Sequence, residues 1–257
     1  MEIMKTCVLA SGSEGNVTYI ETENHKILLD IGTTVKYITE KLSELSISPS
    51  EIDYVFITHV HDDHVKALKN FIKKYKPTIC VTPLIFAELE VLKYYENILL
   101  YDDTVYLSDV KIDIIKTSHD TTDSRSFVLE SKGKSVVYMT DTGFINQKYF
   151  PKIKNKDVYL FESNHDIEML LHGPYPKWLK DRVMGPYGHL SNKDSSIYLA
   201  KNIGENTKKI VLMHLSHKNN TEEIALETIR ETFAEYEITF NDITCARQKE
   251  KSELIEL

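Results

Sequence analysis

The sequence predicts an α/β protein in which two β-sheets pack face to face with helices on their outer sides. Three observations carry this prediction. Short apolar runs of strand type alternate with segments of helical apolar spacing. The pattern, a β-meander passing into βαβ units, runs roughly twice along the chain. Residues of metal-ligand type also collect where strand-type runs end, and loops at strand ends are where such folds carry chemistry. No low-complexity tract or Pro/Gly-rich linker interrupts the 257 residues, so one domain spanning 1–257 is expected.

Taken in order, the chain opens with three strands, at 5–9, 17–21 and 26–30, separated by turn residues. Residues 35–45 carry apolar side chains at helical spacing until Ser48-Pro49-Ser50 breaks the pattern. A buried-type strand follows at 54–58. The segment 64–75 reads as an amphipathic helix with Val65, Leu68, Phe71 and Ile72 on one face. The middle is strand-rich, with runs at 78–81, 105–107, 111–116, 126–130 and 135–140 and a helix at 84–92. A strand at 157–161, helical stretches near 165–171 and 192–201, a strand at 209–213, a helix at 221–236 and a last strand near 237–243 complete the pattern. The charged segment 248–257 is expected to fray or pack as a short tail.

Composition narrows the class. A hydrophobic share of 42% and a charged share of 27% are ordinary for a soluble globular protein. No run reaches the length of a membrane span. Met1-Glu2-Ile3-Met4-Lys5 leads straight into a strand without a signal pattern, which points to the cytoplasm. Cys7, Cys80 and Cys245, an odd and scattered set, fit a reducing compartment rather than a disulfide framework. The net charge of -8 argues against a broadly basic nucleic-acid-binding surface. It leaves room for a nuclease, because divalent ions would supply positive charge where it matters.

The chemistry centres on Thr58-His59-Val60-His61-Asp62-Asp63-His64, where three imidazoles and two carboxylates fall within six residues at the end of a strand. His59 and His61, two apart in extended chain, point the same way. Asp63 and His64 lie at the turn into the helix and can face a second ion. Capping of that helix explains Asp62 but not the whole cluster. Three more ligand-type residues follow strand runs: His119 after 111–116, Asp141 after Val136-Val137-Tyr138-Met139, and His214 after Ile210-Val211-Leu212-Met213. Mixed imidazole and carboxylate donors suit zinc or manganese.

With Asp30 in Leu28-Leu29-Asp30-Ile31-Gly32, these motifs match, in order and rough spacing, those of the metallo-β-lactamase superfamily, which the chain resembles to about residue 220. The resemblance implies a four-layer αββα sandwich and two divalent ions. It implies one ion on His59, His61 and His119, another on Asp63, His64 and His214, and Asp141 bridging both, with Asp30 orienting the cluster. Leu9-Ala10-Ser11-Gly12-Ser13-Glu14-Gly15-Asn16, Glu162-Ser163-Asn164-His165-Asp166 and Gly188-His189-Leu190-Ser191-Asn192 further resemble the bacterial YycJ/WalJ-type branch, whose members look like DNA exonucleases. Ala67 stands where the superfamily's first helix usually has Gly, a change that suits a helix interior.

The expected function is therefore a phosphodiesterase with DNA as its substrate, in which a hydroxide bridging the two ions attacks phosphorus in line. Asp63 and His189 are the catalytic candidates, His189 as donor of a proton to the leaving alkoxide. Ser11, Ser13, Asn16, His165 and His217 are candidate substrate contacts. The basic and aromatic stretch 172–193 suits a nucleic-acid path, although Trp178 within it is expected to pack rather than stack on a base. Two other readings stand beside this one. The nearest is a phosphodiesterase acting on small esters or cyclic nucleotides, and the more distant is a non-catalytic metal-bound interaction module.

Overall fold

In the computed structural model, residues 4–257 are described, and their strand-type runs form two seven-stranded sheets. The first sheet gathers β1 (Lys5–Ala10), β2 (Val17–Glu21), β3 (Lys26–Leu29), β4 (Tyr54–Phe56), β5 (Thr78–Val81) and β6 (Ile98–Leu100) in that order. The second gathers β7 (Val105–Tyr106), β8 (Lys111–Lys116), β9 (Arg125–Ser131), β10 (Lys134–Met139), β11 (Val158–Glu162), β12 (Lys209–Met213) and β13 (Ile243–Cys245). The chain then returns to the first sheet, where β14 (Ile255–Glu256) pairs antiparallel with β1. Each sheet is antiparallel on one side and parallel on the other, the parallel halves being β3–β6 and β10–β13. Consequently β1, β3 and β4 of one sheet run alike, as do β8, β10, β11 and β12 of the other.

The period of two along each strand decides the layers. In β4, Phe56 faces the other sheet and meets Phe127, which in turn stacks on Tyr138, while Val55 faces outward to Ile38 and Phe71. Those two belong to α1 (Val35–Ser43) and to α3 (Leu68–Tyr75), which follows the short α2 (Asp62–Val65). In β12, Val211 faces the intersheet core and Leu212 packs outward. Around Leu212 lie Ile153 of α5 (Phe150–Ile153), Leu199 of α8 (Asn192–Asn202) and Ile229 of α9 (Glu222–Glu235). α4 (Pro83–Glu88) lies on the first sheet's outer side, and α6 (Ile167–His172) and α7 (Lys177–Met184) follow β11. Each such buried side chain stabilises the fold by about 1.5–3 kcal/mol. The order is helix, sheet, sheet, helix, as expected. No helix among the described residues is long and apolar enough to cross a membrane.

Several local expectations are corrected. The helix expected at 64–75 is broken at Lys66 and Ala67. The Asp63 carbonyl accepts from Asn16 N (2.8 Å) instead of Ala67 N, which donates to Ile31 O (2.9 Å). Gly32 makes this approach possible, since a Cβ there would lie 1.5 Å from the Asp63 carbonyl oxygen. The last parallel strand falls at Ile243–Cys245 rather than 237–243. Of the two outcomes expected for the C-terminal tail, fraying or packing, it packs. Leu257 is 2% exposed and donates to Met4 O (2.9 Å), so the tail closes the first sheet's edge.

Candidate metal centre

The strands that run alike end together, and the candidate residues lie at those ends. Asp30 follows β3, the His59–His64 segment follows β4, His119 follows β8, Asp141 follows β10, and His214 follows β12. Asp30, Asp141 and His214 adopt left-handed backbone at φ 59°, 51° and 57°. Such conformations cost non-glycine residues on the order of 1–3 kcal/mol and persist where surroundings over-determine them. Here the Asp30 amide donates to Phe56 O and the His214 amide to Ser11 Oγ, both at 2.8 Å. The sharp turn halts each side chain at the sheet end.

Three imidazoles converge first. His59 Nε2 lies 3.1 Å from His61 Nδ1, which lies 3.3 Å from His119 Nε2. The far nitrogens fix the tautomers. His119 Nδ1 donates to Gly188 O (3.2 Å), and His59 Nδ1 donates to Thr58 Oγ1 (2.9 Å), which itself donates to Asp30 Oδ2 (2.9 Å). Lone pairs of His59 and His119 therefore face the shared space.

A second group adjoins it. His64 Nδ1 binds Asp30 Oδ2 at 2.7 Å, leaving Nε2 at 3.2 Å from Asp141 Oδ2 and 3.6 Å from Asp63 Oδ2. His214 Nε2 lies 3.8 Å from Asp63 Oδ2. Asp141 stands between the groups, its Oδ1 3.8 Å from His119 Nε2. Asp30 is fully buried and also accepts from Thr58 N and the Tyr138 hydroxyl, so it fixes the His64 ring.

Glu162 was not singled out by sequence, and it is the structure's main addition. This buried carboxylate ends β11. Its Oε1 accepts from His189 Nδ1 (2.8 Å) and His214 Nδ1 (3.2 Å), and its Oε2 accepts from the Thr142 and Leu190 amides. Burial alone would raise its pKa, but the His189 and His214 charges and hydrogen bonds bring it down to about 2. The available signal was a carboxylate closing the apolar run Val158-Tyr159-Leu160-Phe161, the same strand-end pattern as Asp141.

These residues fit divalent cations. Ligand atoms of His59, His61 and His119 lie within 4.8 Å of one another, as do those of Asp63, His64 and His214. Facing lone pairs repel without a shared cation or proton, and His214 Nε2 is buried without a hydrogen-bond partner. Burial holds His59 and His119 below their ordinary pKa, in the neutral form that ligates. Burial opposes ionisation of Asp141, but His214 and His64 keep it an anion. Burial would likewise lower His214, yet the surrounding Asp141, Asp63 and Glu162 carboxylates push it up to about 10. The centre thus has a surplus of anionic donors that attracts cations.

The sequence profile of the metallo-β-lactamase superfamily matches residues 11–200. The chain belongs to the metallo-β-lactamase superfamily. It is 34% identical over 241 residues to the exodeoxyribonuclease WalJ of Streptococcus pneumoniae serotype 2 (strain D39), spanning 91% of this chain and 90% of that one. It is 30% identical over 233 residues to the exodeoxyribonuclease YycJ of Bacillus anthracis, spanning 89% and 88%. Among solved structures, the metallo-β-lactamase fold protein YhfI of Bacillus subtilis superposes over the full length of both chains with a TM-score of 0.70 at 15% identity, a likeness of fold. As a metallo-β-lactamase superfamily member, the chain is a metal-dependent hydrolase.

The remaining candidates take varied places in this metallo-β-lactamase frame. Asn16 is buried, with Nδ2 3.0 Å from His64 Nε2 and 3.4 Å from Asp63 Oδ2. Ser11 supports the His214 backbone, Ser13 is exposed on the same loop, and His217 lines a neighbouring depression with Ser11. That loop is pinned by the tail. Gln248 Oε1 accepts from Glu14 N and Gln248 Nε2 donates to Gly15 O, both at 2.9 Å. Gln248→Ala is expected to destabilise the fold by about 1–2 kcal/mol, read as a lower urea midpoint at unchanged slope.

His165 is 2% exposed and directly precedes Asp166, whose side chain caps α6. Burial and the His189 charge lower the His165 pKa to about 4. An unfolded histidine protonates below about pH 6.5, so this ring's contribution to stability is full above that pH and is lost towards pH 4. His165→Asn is expected to flatten stability across that window by on the order of 3 kcal/mol in metal-free protein. Urea titrations at a series of pH values check this, and parallel curves for both proteins would refute it. Trp178 does not pack inward as expected but is 66% exposed.

Proposed function

We propose that the chain is a dinuclear, zinc- or manganese-dependent phosphodiesterase that trims DNA ends. The observation that carries the reading is Asp141, whose two oxygens reach His64 Nε2 and His119 Nε2 at 3.2 and 3.8 Å. One carboxylate so placed between two nitrogen clusters serves a pair of cations better than a single one. The names of the two bacterial relatives, both exodeoxyribonucleases at 30–34% identity over most of the chain, support DNA as the substrate.

In this reading His59, His61 and His119 hold one ion, Asp63, His64 and His214 hold the other, and Asp141 serves both. When bound, the ions supply an activated water at neutral pH and neutralise charge on the phosphoryl oxygens. The chain's own groups do the rest. Asp63, partly open to solvent, orients the water. Glu162 holds His189 through Nδ1, which presents Nε2 of this half-buried ring to substrate as proton donor to the leaving alkoxide. Asp30 and Thr58 hold the rings of His64 and His59. The two sheets, joined by one apolar core, act as one catalytic domain.

The test is digestion of an end-labelled linear DNA duplex by protein loaded with manganese or zinc, beside a small chromogenic phosphodiester, with Asp63→Asn as control. The expected result is progressive loss of DNA ends that the control abolishes. Turnover of the small ester alone would move the substrate to small phosphodiesters.

A further inference from the structure

We propose that a groove running outward from His119 holds the single-stranded end of the DNA, with nucleobases against Tyr187 and Phe144 and backbone phosphates on Lys116 and Lys148. The inference rests on the DNA reading above and adds the path of the substrate to it. The groove encloses about 400 Å³, a volume suited to a nucleotide-sized ligand, and His119 forms part of its wall. A second depression of about 570 Å³ continues from it past His61, sharing His119 and Tyr187. The path thus runs beside the imidazole cluster rather than ending at it.

Its rings are placed to stack. Tyr187 is 63% exposed and Phe144 43%. Tyr187 stands between two residues that are tied to the site: Pro186 O accepts from Ser118 Oγ (2.7 Å), and Gly188 O accepts from His119 Nδ1 (3.2 Å). The backbone that carries the ring is therefore the one that fixes the His119 tautomer. The Phe144 loop is packed onto that backbone through Gly143, where a Cβ would lie 2.4 Å from Pro186 O. Two exposed rings on anchored loops suit unstacked bases, each of which offers a π-face, whereas bases inside a duplex are already covered.

The charge of the groove agrees. Among the described residues, neither Lys116 nor Lys148 forms an ion pair with a carboxylate, in a chain whose net charge is -8. Asp123 in the groove floor is already answered by Arg125 and the Thr82 hydroxyl, and Asp120 beyond His119 is paired with Arg182. Two ammonium groups without a carboxylate partner, that of Lys148 lying 4.9 Å from the centre of the Tyr149 ring, flank two open rings, and these are the elements of a single-strand track.

The experiment is steady-state digestion of DNA bearing a single-stranded overhang by the metal-loaded protein, at several salt concentrations. Tyr187→Ala is expected to raise KM on the order of tenfold with kcat changed less than threefold, and Tyr187→Phe, which keeps the ring, to restore it. The double variant Lys116→Ala, Lys148→Ala is expected to make the slope of log affinity against log salt shallower by about 1.4. Lys148→Arg is expected to keep its share of that slope, and Lys73→Ala, on α3, to leave both readings unchanged. Thermal melts establish that each variant folds. Unchanged KM and salt slope in folded alanine variants, on wild-type protein that digests DNA, would overturn the groove assignment alone. Wild-type protein that cleaves the chromogenic ester but no DNA would overturn both the assignment and the reading beneath it.

Discussion

Asp141→Asn is expected to lower turnover by at least about a thousandfold and to reduce the metal held by the purified protein at both positions. The reason is geometric. Asp141 is buried and its carboxylate touches both groups: Oδ2 lies 3.2 Å from His64 Nε2, and Oδ1 lies 3.8 Å from His119 Nε2 and 3.6 Å from His214 Nδ1. Asparagine keeps the shape, including room for the Thr140 hydroxyl that donates to Oδ2 at 2.7 Å. It offers one neutral oxygen where two anionic ones stood, so a single change acts on both groups. Metal analysis after gel filtration, with circular dichroism to establish the fold, reads the outcome. Full metal content with full turnover in the variant would mean that the two clusters do not share a carboxylate ligand.

His189→Ala is expected to lower kcat by two to four orders of magnitude while metal content stays at the wild-type level. His189 lies beside the centre, 3.6 Å from Asp141 Oδ1, but its Nδ1 is committed to Glu162 at 2.8 Å. A lost ligand and a lost proton donor differ in what they remove. The first costs metal, and the second costs only the step that protonates the leaving group. Added imidazole is expected to restore part of the activity, and a DNA substrate with a more acidic leaving group is expected to lose less. Glu162→Gln is expected to weaken the same step more mildly, because the ring stays while its orienting anion goes. Unaltered turnover in a metal-replete His189→Ala protein would remove this residue from the mechanism.

The parts of the site that sequence reveals are those in which a ligand-type side chain directly follows an apolar strand. His59, His61, Asp63 and His64 were legible as a local cluster, and His119, Asp141 and His214 as single residues at the ends of β8, β10 and β12. The four-layer order was legible for the same reason, since period-two runs such as those of β4 and β12 carry both of their buried faces in the sequence. What escaped depends on partners distant in sequence. Glu162 owes its role to His189 and His214, 27 and 52 residues away. The break between α2 and α3 is imposed by Asn16, 47 residues before Asp63, which takes the carbonyl that would have continued the helix. The two-residue strand β14 exists only because β1 offers an edge some 250 residues earlier. Trp178 has an apolar side chain that predicts burial, yet α7 contributes no buried residue and leaves it in solvent.

The most direct measurement of the central claim is the fate of water. Metal-loaded protein is given linear duplex DNA in water enriched in oxygen-18, and the products are weighed by mass spectrometry. Mononucleotides released from the ends, each carrying one heavy oxygen on its phosphate, are expected. Intact ends after extended incubation, or products whose phosphates contain no heavy oxygen, would contradict the claim.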